Sequence, residues 1–184
     1  MKIKYIVFTC LGLMFSNTHA ATEVQEKAQV LNVIKKFVEA TSCSITSISL
    51  NNIYTVEYSK SSSSYYVFWG GDIGCGGGNG NFGRYVTEVY RSSSTLGKFV
   101  IDVVEKDGRL SHLYAFDDTI VYDYIASIKK INTNRFEIIS WEHADQKWGG
   151  QDEGKFPANK FKYILDKKYG RWDVSKQFLL EQKK

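Results

Sequence analysis

The feature that most constrains this fold is a single change of hydrophobic period near Cys43. Over residues 22–41, apolar side chains recur at the spacing of an α-helix, and they form a broad stripe of Val30, Leu31, Val33, Ile34, Phe37 and Val38. Thr22 and Gln25 have the spacing of a capping box, which predicts that the helix begins there. An apolar stripe of this width requires a partner, so we expect the helix to pack on a sheet.

After Cys43 the period becomes two, and β-branched and aromatic residues dominate. Ten segments have this pattern: ITSISL, NIYTVEY, YYVFW, RYVTEVY, KFVIDVV, LSHLYAF, TIVYDYIASIKKI, RFEIISWEH, KFKYILD and RWDVSKQF. Short polar turns separate them, and Asp107-Gly108 is the clearest hairpin because a type I′ turn needs positive φ at both central positions. Short turns join antiparallel neighbours. We therefore predict an α+β fold in which the N-terminal helix packs on an antiparallel up-and-down β-meander.

Residues 1–20 have the pattern of a secretory signal peptide. Lys2 and Lys4 precede an apolar run over residues 5–15, and a small, polar tail ends at Ala20. The run is shorter than the ~20 apolar residues that span a bilayer. We expect cleavage before Ala21, a single α+β domain over residues 21–184 with no membrane span, and a periplasmic or secreted location.

The charge of the chain argues against nucleic acid as a partner. Its formal net charge is only +4, and loss of Lys2 and Lys4 with the signal peptide lowers it further. A basic excess near the C-terminus is interrupted by Asp166 and Asp173, as on an ordinary solvated face. Binding to an anionic wall polymer or to a membrane surface stays an open alternative.

Cys43 and Cys75 are the two cysteines after the signal peptide, and export places them in an oxidising compartment. We therefore predict a Cys43–Cys75 disulfide that ties the end of the helix to a glycine-rich loop. The alternative is that Cys75 is a nucleophile activated by His143, because a cysteine hydrolase needs a thiolate and a histidine base.

The glycine-rich loop contains eight glycines between Gly70 and Gly83. Its GNGNFG stretch fits G-x-G-x-x-G, but a strand pattern follows where a dinucleotide site needs a helix. Asp72 is the single carboxylate near the asparagines of the loop, which is too few for a hard divalent cation. We predict no cofactor and no metal. We interpret the glycines as residues that let the chain turn through positive φ or let the backbone of a partner approach closely.

Exposed aromatic side chains beside this loop are the candidate binding anchors. Trp69 and Phe82 flank the loop, and Trp148 lies in a second polar, glycine-containing loop where it has no periodic core role. The complete predicted binding set is Trp69, Asp72, Asn79, Asn81, Phe82, Arg84 and Trp148.

No motif in the chain identifies an activity, so the functional hypothesis rests on layout. A signal peptide, one helix, one disulfide and an antiparallel sheet resemble small envelope proteins that bind and inhibit or neutralise another protein, such as lysozyme inhibitors and immunity proteins. That resemblance implies a non-enzymatic binding protein with a protein partner in the envelope. Two alternatives stay open: a peptidoglycan or peptide hydrolase using Cys75 and His143, and a module that binds cell-wall glycan through the same aromatics.

Overall fold

The structure is a computed structural model that describes residues 21–75, 82–101, 105–106, 109–110, 115–116, 120, 124–142 and 159–182. These residues form a helix, two four-stranded antiparallel sheets and a two-stranded hairpin. The elements are α1 (Glu23–Thr41), β1 (Ser42–Ile45), a 3-10 turn (Leu50–Asn52), β2 (Ile53–Tyr58), β3 (Ser63–Ile73), β4 (Phe82–Arg91), β5 (Glu105–Lys106), β6 (Arg109–Leu110), β7 (Ile125–Asn132), β8 (Arg135–Glu142), β9 (Asn159–Lys168) and β10 (Arg171–Gln182).

The start and the buried stripe of α1 confirm the helix prediction. The Thr22 hydroxyl accepts the Gln25 backbone N–H at 3.3 Å, and the Gln25 side chain accepts the Thr22 backbone N–H at 2.9 Å. This is the predicted capping box. Val30, Ile34 and Val38 are fully buried at intervals of four residues, so one face of α1 lies on the sheet that contains β3.

The first sheet is organised around β3. β4 pairs antiparallel with β3 over ten residue pairs from Ser63 to Asp72. β2 pairs with the first half of β3, and β1 pairs with its last residues, where Ser42 lies opposite Ile73. Because β4 takes one edge along this length, β1 and β2 share the other edge end to end.

Both faces of β3 are buried. Tyr65, Val67 and Trp69 point towards α1, whereas Tyr66 belongs to the core between the two sheets. This double burial explains why the sequence YYVFW is nearly continuously apolar instead of alternating with polar residues.

The second sheet has the order β10-β9-β8-β7, a simple up-and-down meander. Its inner face carries Phe136, Ile138, Phe161, Tyr163 and Leu165, each at most 2% exposed. Hydrogen bonds join this sheet to the first: the Trp172 indole N–H donates to the Tyr66 hydroxyl at 2.8 Å, the Tyr54 hydroxyl donates to the Ile128 carbonyl at 3.0 Å, and the Lys130 ammonium group donates to the Thr55 carbonyl. The molecule is therefore layered as helix, sheet and sheet.

The α+β class, the antiparallel pairing and the packing of the helix on a sheet are confirmed, with the strands divided between two sheets. Lys106 lies opposite Arg109, so β5 and β6 are joined by a connection of two residues, as expected for a tight hairpin. The two residues of that connection, Asp107 and Gly108, lie outside the described part of the chain. No helix in the described ranges is both long enough and apolar enough to cross a membrane.

A buried carboxylate fixes α1 to the first sheet. Glu26 is only 2% exposed, and its carboxylate accepts hydrogen bonds from the Ser63 hydroxyl at 2.6 Å, the Tyr65 hydroxyl at 2.9 Å and Arg91 Nε at 3.1 Å. Burial by itself raises the pKa of Glu26, but the hydrogen bonds from Arg91, Ser63 and Tyr65 outweigh it and hold the pKa below its usual value of 4.5. The charged form of Glu26 is therefore the one that stabilises the fold.

We predict that Glu26→Gln lowers the free energy of unfolding at pH 7 by about 3 kcal/mol, because Arg91 is left largely buried without a counter-ion. A carboxyl whose pKa is lowered on folding stabilises the protein above its unfolded pKa, and this stabilisation is lost as the pH falls through the folded pKa. Urea unfolding at pH 7 and at several values below 4.5 should therefore show a weaker acid destabilisation in Glu26→Gln than in the wild type. The control is Glu39→Gln on the exposed side of α1. Equal pH dependence of the wild type and Glu26→Gln would contradict this prediction.

Candidate functional site

The end of β3 is anchored by a disulfide. Cys43 and Cys75 form a disulfide with their Cα atoms 5.2 Å apart, which confirms the predicted bridge. Gly74 and Cys75 turn the chain with φ of 76° and 56°, and the Gly74 N–H donates to the Thr41 carbonyl at 2.9 Å. The end of α1, strand β1 and the end of β3 are thus held together at one point.

A second anchor lies five residues before Cys75, at Gly70. The Thr46 N–H donates to the Gly70 carbonyl at 2.8 Å, and the Gly70 N–H donates to the Thr46 hydroxyl at 2.9 Å. At Gly71 a Cβ atom would lie 2.9 Å from both the Ser44 carbonyl oxygen and the Trp69 ring. Only glycine allows β1 to approach β3 this closely.

Trp69 is a core residue, which is inconsistent with its expected role as an exposed anchor. It is 1% exposed, its indole N–H donates to the Thr87 hydroxyl at 2.9 Å, and its ring lies 4.6 Å from that of Tyr85. The physical reason is the double burial of β3: the side that carries Trp69 faces α1 and the Phe37 ring.

The opposite side of the same hairpin end carries Asp72, Phe82 and Arg84. Asp72 lies opposite Phe82 and Gly70 lies opposite Arg84, so these four residues share one face of the β3–β4 pair. A Cβ atom on Gly70 would be 3.0 Å from Phe82 Cε1 and 3.2 Å from Arg84 Cδ, so both side chains lie over the glycine. We call Gly70, Asp72, Phe82 and Arg84 the Gly70 platform.

The Gly70 platform combines two kinds of contact group. The Phe82 side chain is 40% exposed. The Arg84 guanidinium carbon lies 6.0 Å from the centre of the Phe68 ring, a cation–π contact. Asp72 Oδ1 is buried and has no hydrogen-bond partner among the described residues. The platform therefore offers an apolar ring and a cation to a partner.

The structure brings together three of the predicted binding residues, Asp72, Phe82 and Arg84. Asn79, Asn81 and Trp148 lie outside the described residues, as does His143. Sequence reasoning missed Thr46 and Phe68, which support Gly70 and Arg84. Phe68, Gly70 and Asp72 are alternate residues of β3, and alternate residues of a strand share one face, so the sequence could have placed these three together. No sequence pattern near Thr46 indicates its contact with Gly70.

Cys75 has no free thiol to act as a nucleophile, because its sulfur is bonded to that of Cys43. In the part of the chain that the structure describes, no three His, Cys, Asp or Glu side chains are arranged to hold a metal ion.

We predict that replacing both cysteines, as Cys43→Ser with Cys75→Ser, lowers the free energy of unfolding by roughly 3 to 4 kcal/mol. The estimate is the loop-closure entropy of a disulfide whose cysteines are 32 residues apart. Urea unfolding of the double variant and of the wild type, each with and without reductant, measures the difference. Reductant should bring the wild type to the stability of the variant and leave the variant unchanged. A wild type insensitive to complete thiol reduction would contradict the assigned role.

Comparison of the chain with protein-family models, with curated proteins and with solved structures finds no match.

Proposed function

We propose that this chain is an exported, non-enzymatic protein of the cell envelope that binds another protein, in the manner of an inhibitor or an immunity protein, through the Gly70 platform. The observation that carries the proposal is the exposed Phe82 ring beside Arg84, on a hairpin end that is tethered at two points. The signal-peptide pattern of residues 1–20 and the disulfide support export.

Tethering of the hairpin end favours tight binding. Ordering a loop or a long side chain at an interface costs free energy that a preorganised surface avoids. At the Gly70 platform, the Cys43–Cys75 bridge and the paired Thr46–Gly70 hydrogen bonds fix the backbone, and the Phe68 ring supports Arg84. A partner would therefore meet a surface that is already in its bound arrangement.

The side chains of the platform suit a protein partner. Aromatic and arginine side chains are enriched at protein interfaces, and arginine is prominent among the residues that contribute most of the binding energy. We infer a partner surface with an apolar pocket for Phe82 and an acceptor or carboxylate for Arg84.

The two alternative functions have less support. A cysteine hydrolase needs a free thiolate at Cys75, and that sulfur is in the bridge. A glycan-binding module needs exposed aromatic rings for stacking, and of the predicted anchors in the described residues Trp69 is buried, which leaves the single Phe82 ring.

The first test is site-specific crosslinking in the source cell. A photoreactive phenylalanine analogue at Phe82 should crosslink to one envelope protein, because the side chain projects from the platform. The same analogue at Tyr169, a fully exposed residue in the turn between β9 and β10, should not. Identical products from the two positions, or none from Phe82, would reject the platform as the recognition surface.

Substitutions then measure the contribution of the platform to affinity for that captured protein. We expect Phe82→Ala and Arg84→Ala each to weaken binding about 30-fold, the size of a typical hot-spot residue. Gly70→Ala should also weaken binding, because its methyl group displaces the Phe82 and Arg84 side chains while leaving both side chains present. Tyr169→Ala is the matched control, and unchanged thermal unfolding of each variant excludes a folding defect. Wild-type affinity in all three variants would contradict the proposal.

A further inference from the structure

The turn between β9 and β10 places an aromatic side chain where the backbone disfavours one. Lys168 and Arg171 are the last paired residues of the two strands, so Tyr169 and Gly170 alone connect them. Both have positive φ, 50° at Tyr169 and 83° at Gly170, as in a type I′ turn. Asparagine, aspartate or glycine usually occupies the first of these positions, and a bulky side chain at positive φ is strained.

Packing does not explain the tyrosine at this position, because the Tyr169 side chain is fully exposed. Strained residues are concentrated at functional sites. An exposed tyrosine offers a flat apolar ring with a polar hydroxyl at its tip, and such side chains are enriched where a lipid layer meets water. The turn therefore presents a side chain that suits a membrane interface.

Cations flank Tyr169 on both sides. Lys168 and Arg171 are exposed and lie opposite each other in the pairing of β9 with β10. Lys167 adds a third cation next to the turn, with its Nζ 5.8 Å from the centre of the Trp172 ring. The tip of the hairpin thus combines an aromatic ring with three basic side chains.

The two aspartates near the turn reduce this positive charge less than their number suggests. Asp166 Oδ1 accepts from Arg135 Nε at 2.7 Å, and Asp166 Oδ2 accepts from Arg135 Nη2 at 3.0 Å. This paired contact neutralises Asp166 with a cation from β8. Asp173 is then the one remaining carboxylate in residues 166–173, against three cations. The end of the hairpin is therefore net positive.

We propose that the β9–β10 turn docks on an anionic phospholipid surface, with the Tyr169 ring among the headgroups and with Lys168 and Arg171 on lipid phosphates. Each basic residue near such a surface strengthens binding about fivefold. A soluble phosphate polymer has the same charge but offers no interface for the ring, so the exposed tyrosine favours the lipid. The Gly70 platform lies on the other sheet, so this site is separate from it.

The experiment measures cosedimentation of residues 21–184 with vesicles of phosphatidylcholine, alone or mixed with phosphatidylglycerol. Residues 21–184 contain every described element and leave out the apolar run of residues 5–15, which could itself bind lipid. We expect binding to the anionic vesicles only, and weaker binding at higher salt because salt screens exposed charges. Lys168→Gln and Arg171→Gln should each weaken it about fivefold. Lys35→Gln, on the exposed side of α1, is the control for the same loss of charge.

Tyr169→Asn separates lipid binding from folding. Asparagine adopts positive φ more readily than tyrosine, so the Tm should stay the same or rise. Binding to the anionic vesicles should fall roughly tenfold, which corresponds to about 50 Å² of apolar surface that no longer leaves water. Unchanged binding in Tyr169→Asn, or a Tm that falls together with binding, would overturn the proposal.

The vesicle measurements can also overturn the proposal directly. Absence of binding to the anionic vesicles, equal binding to both vesicle types, or an equal loss in Lys35→Gln would each do so. Binding of soluble polyphosphate without binding of vesicles would assign the cations to a phosphate polymer instead. Affinity for the protein partner of the Gly70 platform is measured without lipid, so Tyr169→Ala stays a valid control there.

Discussion

Burial of β3 on both faces is the constraint on which the rest of the structure depends. A strand covered by a helix on one side and a sheet on the other must satisfy every polar group that it carries. The Tyr65 hydroxyl does so on the helix side by donating to Glu26, and the Tyr66 hydroxyl does so on the other side by accepting from Trp172. Burial raises the pKa of both tyrosines, so both hydroxyls stay protonated, and the Tyr65 hydroxyl needs its proton to donate to Glu26.

The same constraint explains why the candidate site lies at the far end of β3. Large side chains occupy β3 from Tyr65 to Trp69, and Gly70 and Gly71 follow. The missing side chains leave room for β1 on one side and for Phe82 and Arg84 on the other. Beyond Trp69, the disulfide and the Thr46 hydrogen bonds hold the end of the strand in place. A rigid and accessible edge is the result.

The parts of the fold that could be predicted from sequence depend on neighbours in the chain or on a limited set of partners. The Thr22 cap is a local pattern, and the bridge follows from two cysteines in an oxidising compartment. The burial of Trp69 could not be predicted in this way, because an apolar run such as YYVFW fits a strand exposed at its end as well as one covered on both faces. Which face of β3 meets α1 depends on contacts between residues distant in sequence, so Phe82 and Trp69 looked equivalent although they lie on opposite faces.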